Sequence, residues 1–136
     1  MLGRVWDLEM GAELHRLEGH TGQIWHVAMS PDGQMGLTAG QDKIVLLWSL
    51  QTGKLIRRFQ GHEGEVNNLV FTPDGKRFLS TSDDETVRLW EVETGKELDR
   101  WKGHVGDVGA VAISPDGRFA LSGAADTSIC LWRMPD

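Results

Sequence analysis

The sequence lacks most of the features that mark disulfide-stapled, secreted or membrane-spanning proteins. It contains one cysteine, Cys130, and no tyrosine among its 136 residues. A single cysteine excludes an internal disulfide, and the first ten residues lack the apolar core of a secretory signal. No run approaches the roughly 18 consecutive apolar residues of a membrane span. We therefore expect a reducing, cytoplasmic setting and no membrane partner.

The chain also lacks any excess or block of basic residues. Fourteen Lys and Arg stand against twenty Asp and Glu, which gives a formal net charge of −6. Nucleic-acid affinity depends largely on clustered Lys and Arg that neutralise phosphates. This balance argues against nucleic acid as a partner. The length is that of one ordinary domain with its own core.

What the sequence does contain is an internal repeat with a constant spacing of 42 residues. Several independent marks recur in this register, and no insertion interrupts it. They are the tryptophans Trp6, Trp48, Trp90 and Trp132, the Gly-His pairs at Gly19, Gly61 and Gly103, the Pro-Asp-Gly turns at Pro31, Pro73 and Pro115, and the aspartates Asp42, Asp84 and Asp126. Such a period predicts one supersecondary unit copied along the chain.

Each unit is predicted to hold four short β-strands. In GEVNNLVF, the apolar residues Val66, Leu69 and Phe71 alternate with other residues except for one slip. The slip, which recurs in the other units, predicts a β-bulge near Asn67 and Asn68. Thr-Pro-Asp-Gly suits a tight turn, and KRFLST, TVRLWEV and ELDRWK supply the other three strands. The sequence therefore predicts an all-β fold.

These marks resemble those of the WD-repeat β-propeller family. The order Gly-His, Ser/Thr-Pro-Asp-Gly, Asp and Trp, at a period between 40 and 45 residues, is typical of that family. The resemblance covers the whole chain, although the eponymous Trp-Asp pair survives only as Trp6-Asp7. It implies a β-propeller with four-stranded antiparallel blades, about three of which are present.

The repeat also predicts how the blades divide the chain. Residues 1–18 would supply strands three and four of a first blade, 19–60 and 61–102 two whole repeats, and 103–136 a repeat without its last strand. Because a propeller needs roughly four to eight blades to close, we expect a piece of a longer propeller. The alternative is self-association, for instance two chains that together make six blades.

Four polar positions recur in every unit, and the resemblance implies that they form a hydrogen-bonded chain within each blade. They are His20, Thr38, Asp42 and Trp48; His62, Ser80, Asp84 and Trp90; and His104, Ser122, Asp126 and Trp132. Indole only donates, hydroxyl and imidazole both donate and accept, and carboxylate ends the chain as acceptor. The role expected for all twelve is structural.

A catalytic or metal-binding role for these residues is the competing hypothesis. His104, Ser122 and Asp126 have the residue types of a hydrolase triad. However, an enzyme needs one such set in one cleft, whereas this chain has a set in every unit. The histidines also lack the short spacing usual in zinc sites. We therefore expect no enzyme activity, no catalytic residue, no metal and no cofactor.

Function is expected at positions that vary between equivalent sites on the face carrying the Gly-His loops and Asp turns. The candidates are Gln23, Trp25, Gln41, Glu65, Asn67, Asp83 and Asp107. Trp25 is equally compatible with packing beside the bulge. These residues favour a non-catalytic scaffold that binds a protein or peptide. The alternative is a regulatory or targeting propeller arm of a longer multidomain enzyme, such as a kinase-like protein.

Overall fold

The computed structural model describes residues 2–6 and 13–136, with the side chains of these ranges except Trp6, Leu14 and His15. Asp7 of the Trp-Asp pair lies outside the described residues. Within the described ranges the chain forms thirteen β-strands and no helix. The all-β prediction is therefore confirmed.

The strands follow one another at regular intervals along the chain. They are β1 (Leu2–Trp6), β2 (Glu13–Glu18), β3 (Ile24–Met29), β4 (Met35–Gly40), β5 (Val45–Ser49), β6 (Leu55–Phe59), β7 (Val66–Phe71), β8 (Arg77–Ser82), β9 (Thr86–Glu91), β10 (Glu97–Lys102), β11 (Val108–Ile113), β12 (Phe119–Ala124) and β13 (Ile129–Arg133). Each strand is five or six residues long.

These strands form four antiparallel sheets in which neighbours in sequence are neighbours in space. The first sheet contains β1 and β2, the second β3 to β6, the third β7 to β10, and the fourth β11 to β13. Sequential pairing through short turns is the up-and-down arrangement of a propeller blade. The described residues are thus a partial β-propeller with two complete blades between two incomplete ones.

A β-bulge lies at the same place in the first strand of the last three sheets. The pairing register shifts between Ile24 and His26, so that Trp25 has no partner on β4. Equivalent shifts leave Asn67 and Gly109 unpaired in β7 and β11. The slip in the hydrophobic alternation was therefore the signature of an inserted residue, as predicted.

The Ser/Thr-Pro-Asp-Gly segments form turns between the first and second strands. Thr72 Oγ1 donates to Asp74 Oδ1 at 2.6 Å, and the Gly75 amide donates to the Thr72 carbonyl at 2.8 Å. Gly75 has a φ of +72°, which favours glycine at this position. The hydroxyl of Thr72 and the amide of Lys76 hold the pKa of Asp74 below its usual range. The hydroxyl, carboxylate and glycine of the motif therefore each contribute to the turn.

The hydrophobic core lies between the sheets. Leu37, Val45 and Leu47 of the second sheet are buried against Val66 and Phe78 of the third. The third sheet packs on the fourth in the same way at equivalent positions. A fourth-strand aromatic completes the contact, since Trp101 stacks on Trp132 with ring centroids 5.3 Å apart. Each sheet therefore needs its neighbour to bury its apolar face.

The first strands of successive sheets lie beside one another. Asn67 Nδ2 of β7 donates to the Val108 carbonyl of β11 at 3.0 Å, and Asn68 Nδ2 contacts the Gly109 carbonyl at 3.4 Å. The bulges and the loops that enter these strands consequently lie close together. This places the Gly-His loops of the last three sheets along one rim.

Candidate functional site

The polar chain of the second sheet joins four side chains from its strands and entry loop. Trp48 Nε1 donates to Thr38 Oγ1 at 2.8 Å, Thr38 Oγ1 lies 2.6 Å from His20 Nε2, and His20 Nδ1 lies 2.7 Å from Asp42 Oδ2. A carboxylate can only accept, so Nδ1 of neutral His20 carries the proton and the Thr38 hydroxyl donates to Nε2. Each hydrogen bond in the series is thus donated in the same direction, from the indole toward the carboxylate.

The third sheet repeats these hydrogen bonds. Trp90 Nε1 donates to Ser80 Oγ at 2.8 Å, Ser80 Oγ lies 2.6 Å from His62 Nε2, and His62 Nδ1 lies 2.8 Å from Asp84 Oδ2. Burial alone would raise the pKa of Asp84, but hydrogen bonds from His62 and Thr86 hold that pKa well below its usual range. Arg88 Nη2 adds a further contact to Asp84 at 3.1 Å. The carboxylate is therefore ionised and held by several donors, although Arg88 Nη1 is buried without a hydrogen-bond partner.

In the fourth sheet, one more hydroxyl group takes part in the series of hydrogen bonds. His104 Nδ1 lies 2.7 Å from Ser128 Oγ, and Ser128 Oγ donates to Asp126 Oδ1 at 2.5 Å. His104 Nδ1 and Asp126 Oδ1 are themselves 3.5 Å apart. The Ser128 hydroxyl and the Val105 amide hold the pKa of Asp126 well below its usual range. Here the histidine reaches the carboxylate through a serine.

Neither Ser128 nor Arg88 was predicted as a member of these chains. The sequence carried a signal for Ser128, because Thr86 also has a hydroxyl two residues after the repeated aspartate, where the second sheet has Ile44. Arg88 also had a signal, because Arg4 occupies the equivalent place in the first unit and Glu13 is the equivalent of Glu97, although the other two units have Leu46 and Cys130 there. Its side chain is 2% exposed, and Nη1 lies 3.7 Å from Glu97 Oε2.

The three chains also fix the Gly-His loops in place. The aspartates accept backbone amides of these loops, from Thr21 to Asp42 at 3.1 Å and from Glu63 to Asp84 at 3.1 Å. The side chains of His20, His62 and His104 are at most 1% exposed. A substrate in solvent therefore has no access to the imidazoles. In the described part of the chain, no group of three or more His, Cys, Asp or Glu could hold a metal ion.

In each of the last three sheets, a variable residue at the end of the Gly-His loop meets a variable residue of the Asp turn. The amide of Gln41 donates to the Gln23 carbonyl at 2.9 Å, and the amide of Asp83 donates to the Glu65 carbonyl at 2.9 Å. The amide of Ala125 likewise donates to the Asp107 carbonyl at 2.8 Å. The backbone geometry is therefore constant, while the paired side chains change from two amides to two carboxylates to one carboxylate.

The bulge positions Trp25 and Asn67 differ in exposure and in contacts. Trp25 is 48% exposed and borders a shallow depression with Leu2 and Gln23. Asn67 is half-buried, and its Nδ2 donates to Asp83 Oδ1 at 2.7 Å as well as to the next sheet. Trp25 thus keeps a free aromatic surface, whereas Asn67 also connects two sheets.

Asp84 does not add to the negative charge of the rim. Its side chain is 7% exposed and contacts both His62 and Arg88. Among the candidate positions, the carboxylates at the rim are Glu65, Asp83 and Asp107, of which Asp107 is exposed and the other two are half-buried. The rim is therefore acidic beside the third and fourth sheets and neutral beside the second.

Comparison with known proteins agrees with this architecture. A family profile described as "WD domain, G-beta repeat" matches residues 11–49, 53–91 and 95–133. Over 39 residues, or 29% of this chain, the sequence is 54% identical to Coronin-7 of Bos taurus and 49% identical to Coronin-7 of Homo sapiens and of Mus musculus. The matched segment spans only 4% of the length of each of these relatives.

Two further observations bear on the class of the protein. No helix in the ranges described here is long and apolar enough to cross a membrane. WD repeats as a class indicate a scaffold for protein interactions. Because the profile matches three consecutive segments that cover most of the chain, and because two of the described sheets have the expected four-stranded pairing, this chain belongs to the WD-repeat family.

Proposed function

We propose that this chain is a non-catalytic scaffold that binds a protein or peptide on the face carrying the Gly-His loops and Asp turns. One observation carries the proposal. The three loop pairs keep the same backbone hydrogen bond while their side chains differ in charge, from Gln23 with Gln41 to Glu65 with Asp83. Residues that hold the fold repeat, whereas recognition requires residues that differ from one place to the next.

The chemistry of this rim favours a basic or polar segment of the partner. Glu65, Asp83 and Asp107 supply negative charge along the third and fourth sheets. Trp25 offers a half-exposed indole on β3 of the second sheet. Complementary charge increases association rates and selects partners, while a single aromatic side chain can contribute much of the binding energy.

The buried polar chains support the non-catalytic part of the proposal. Each imidazole has both ring nitrogens occupied by neighbouring side chains, as at His62 with Ser80 and Asp84. A general base needs to reach a substrate proton within hydrogen-bond distance. The histidines therefore act on the fold and not on a substrate.

Peptide selection would test the proposal directly. Fluorescein-labelled peptides chosen from a random 12-residue library on the 136-residue chain would be titrated by fluorescence polarisation. Basic sequences should be enriched. Trp25→Ala, and separately Glu65→Gln with Asp83→Asn, should each weaken binding at least about tenfold, because each removes a central contact. Leu98→Ala and Glu93→Gln, at exposed positions away from the Gly-His loops, are the matched controls.

A third variant separates folding from recognition. His62→Ala should lower stability but, at a temperature where it remains folded, retain peptide affinity within about twofold, because the imidazole is buried. The proposal is wrong if Trp25→Ala and the charge variant bind as tightly as the controls. It is also wrong if folded His62→Ala loses all binding.

A further inference from the structure

Three apolar side chains on the outer face of the fourth sheet are exposed at positions that are buried in the two preceding sheets. Leu121, Ile129 and Leu131 are 48%, 77% and 66% exposed. The equivalent side chains are 0% or 1% exposed, namely Leu79, Val87 and Leu89 in the third sheet and Leu37, Val45 and Leu47 in the second. The fourth sheet therefore carries the side chains of an inter-sheet interface without a covering sheet.

The two internal interfaces show what covers these positions. Leu79, Val87 and Leu89 pack in one cluster with Val108 and Ala120 of the following sheet. The second sheet has the same covering face, and the two-stranded first sheet covers that face only in part. Val27 and Met29 are 59% and 63% exposed, whereas their equivalents Leu69 and Phe71 are 2% and 8% exposed.

We propose that the 136-residue chain self-associates head to tail, with the outer face of the fourth sheet of one copy packed on the β3 side of the second sheet of another. The chain exposes both halves of an interface that it already makes twice internally. Because the two halves lie at opposite ends of the arc, the contact is heterologous, and it forms a ring if the rotation closes. Two copies would supply six blades, within the range of closed propellers.

Association requires one strand to be exchanged, because β1 occupies the place of β13 in this packing. Both are third strands, 126 residues apart in the repeat, with Gly3 where β13 has Ile129 and Val5 where it has Leu131. We infer that β13 of the incoming copy displaces β1 and pairs with β2. The β2 strand stays in place, because Leu17 is only 4% exposed and packs against Leu46 and Trp48.

The exchange leaves the number of paired strands unchanged, and it places residues that favour a strand beside β2. The β1–β2 register pairs Arg4 with Arg16, as the third sheet pairs Arg88 with Arg100, and Glu13 contacts the two arginines at 3.9 and 2.7 Å. In the new pair Arg16 faces Cys130. A glycine within β1 also gives way to a β-branched residue, which is favoured in strands. The open edge of β13 gains a partner, so that the fourth sheet reaches four strands.

The first experiment measures the mass of the 136-residue chain by sedimentation equilibrium. We expect twice the 15.1 kDa chain mass. Ile129→Asp with Leu131→Asp, and separately Val27→Asp, should each give monomers. Val105→Asp is the matched control, because Val105 is 74% exposed but its equivalents are the polar Glu63 and Thr21. Circular dichroism would verify that each variant is folded.

Mixing the two monomeric variants tests the head-to-tail geometry. The intact fourth sheet of Val27→Asp should pack on the intact second sheet of the other variant, which restores a dimer through a single interface. A monomeric wild-type chain overturns the proposal. The proposal is also overturned if Ile129→Asp with Leu131→Asp, or Val27→Asp, forms dimers as readily as Val105→Asp. A mixture of the two variants that stays monomeric would overturn it as well.

A disulfide tests the strand exchange itself. By analogy with the β9–β10 register, where Arg88 faces Arg100, position 16 of one copy would face Cys130 of the other. Oxidised Arg16→Cys should therefore form a disulfide-linked dimer through Cys130. Arg100→Cys is the control, because position 100 faces Arg88 within its own copy. A dimer in which Arg16→Cys cross-links no more than Arg100→Cys overturns the exchange.

Discussion

At the residue scale, one position decides how each buried histidine reaches its carboxylate. This position lies two residues after the repeated aspartate. Ile44 has no hydroxyl, so His20 contacts Asp42 directly, whereas Ser128 places a hydroxyl between His104 and Asp126. Thr86 is intermediate, since its hydroxyl donates to Asp84 Oδ1 at 2.6 Å while His62 still reaches the other oxygen. The repeated side chains therefore tolerate different hydrogen-bond connectivity as long as every donor among them has an acceptor.

The ionised Asp84 should make the stability of the protein depend on pH in acid. Its pKa in the folded state lies well below the value of about 3.9 for an unfolded chain. The unfolded state therefore binds more protons in acid, so this stabilisation is complete above about pH 5 and is lost as pH falls. Asp84→Asn should lower the free energy of unfolding by about 1–3 kcal/mol at pH 7. It should also flatten the decline below pH 5.

Urea unfolding of both proteins between pH 7 and pH 3 measures the two effects. Glu85→Gln, an exposed change in the same turn, should leave the curve of the wild-type protein unchanged. Parallel curves for wild type and Asp84→Asn would show that Asp84 carries none of the acid dependence.

At the scale of single elements, the bulges set how close the first and second strands approach at the rim. In the second sheet the bulge brings the carbonyl of Gln23 against Gly40 at the end of β4. A Cβ added at Gly40 would lie 1.9 Å from that oxygen. At Gly109, the bulge residue of the fourth sheet, an added Cβ meets nothing within 4 Å. Gly40 on β4 and Gly109 on β11 therefore differ in how much room each has for a side chain.

This difference predicts opposite outcomes for two alanine substitutions. Gly40→Ala requires the β3–β4 junction to shift and should lower the free energy of unfolding by about 1–3 kcal/mol. Gly109→Ala should change stability by less than about 0.5 kcal/mol, as is usual for exposed changes. Urea denaturation of both variants provides the measurement. Equal effects would mean that the Gly40 contact does not constrain the sheet.

At the scale of the whole molecule, burial is unequal between sheets with the same sequence pattern. The third sheet is covered on both faces, and most residues of β8 and β9 are buried. The β13 strand has exposed and half-buried residues in alternation. A sheet packed between two neighbours loses more contacts when it opens than a sheet at the end of the arc, so local stability should follow position along the arc.

Hydrogen exchange detected by mass spectrometry would measure this gradient. In the Ile129→Asp, Leu131→Asp variant, which we expect to be monomeric, amides of β8 and β9 should exchange more slowly than those of β13 by over about tenfold. That ratio corresponds to about 1.4 kcal/mol in opening free energy. Uniform protection across all four sheets would contradict an arc stabilised mainly by contacts between adjacent sheets.

Much of this fold was predictable because its determinants are local. Alternating apolar residues, Pro-Asp-Gly turns and a 42-residue period led to the strand order and even to the bulges at Asn67 and its equivalents. The rim was less predictable. The contact of Asp84 with His62 was expected, but the ion pair of Asp84 with Arg88 was not. Arg88 lies only four residues after Asp84, but the contact depends on how the turn and β9 place the two side chains, which the residue spacing alone does not reveal.

The sequence by itself determined the repeat, the all-β class, the turn chemistry and the membership of the WD-repeat family, because each depends on residue type and short-range spacing. Only the tertiary structure decided that Ser128 connects His104 to Asp126, because that contact depends on where a side chain lies in space. It also decided which of three equivalent leucines are covered. Leu79 and Leu121 occupy the same place in their repeats, yet exposure is 0% for one and 48% for the other. Burial belongs to the contact between two sheets, and a single repeat does not contain its neighbour.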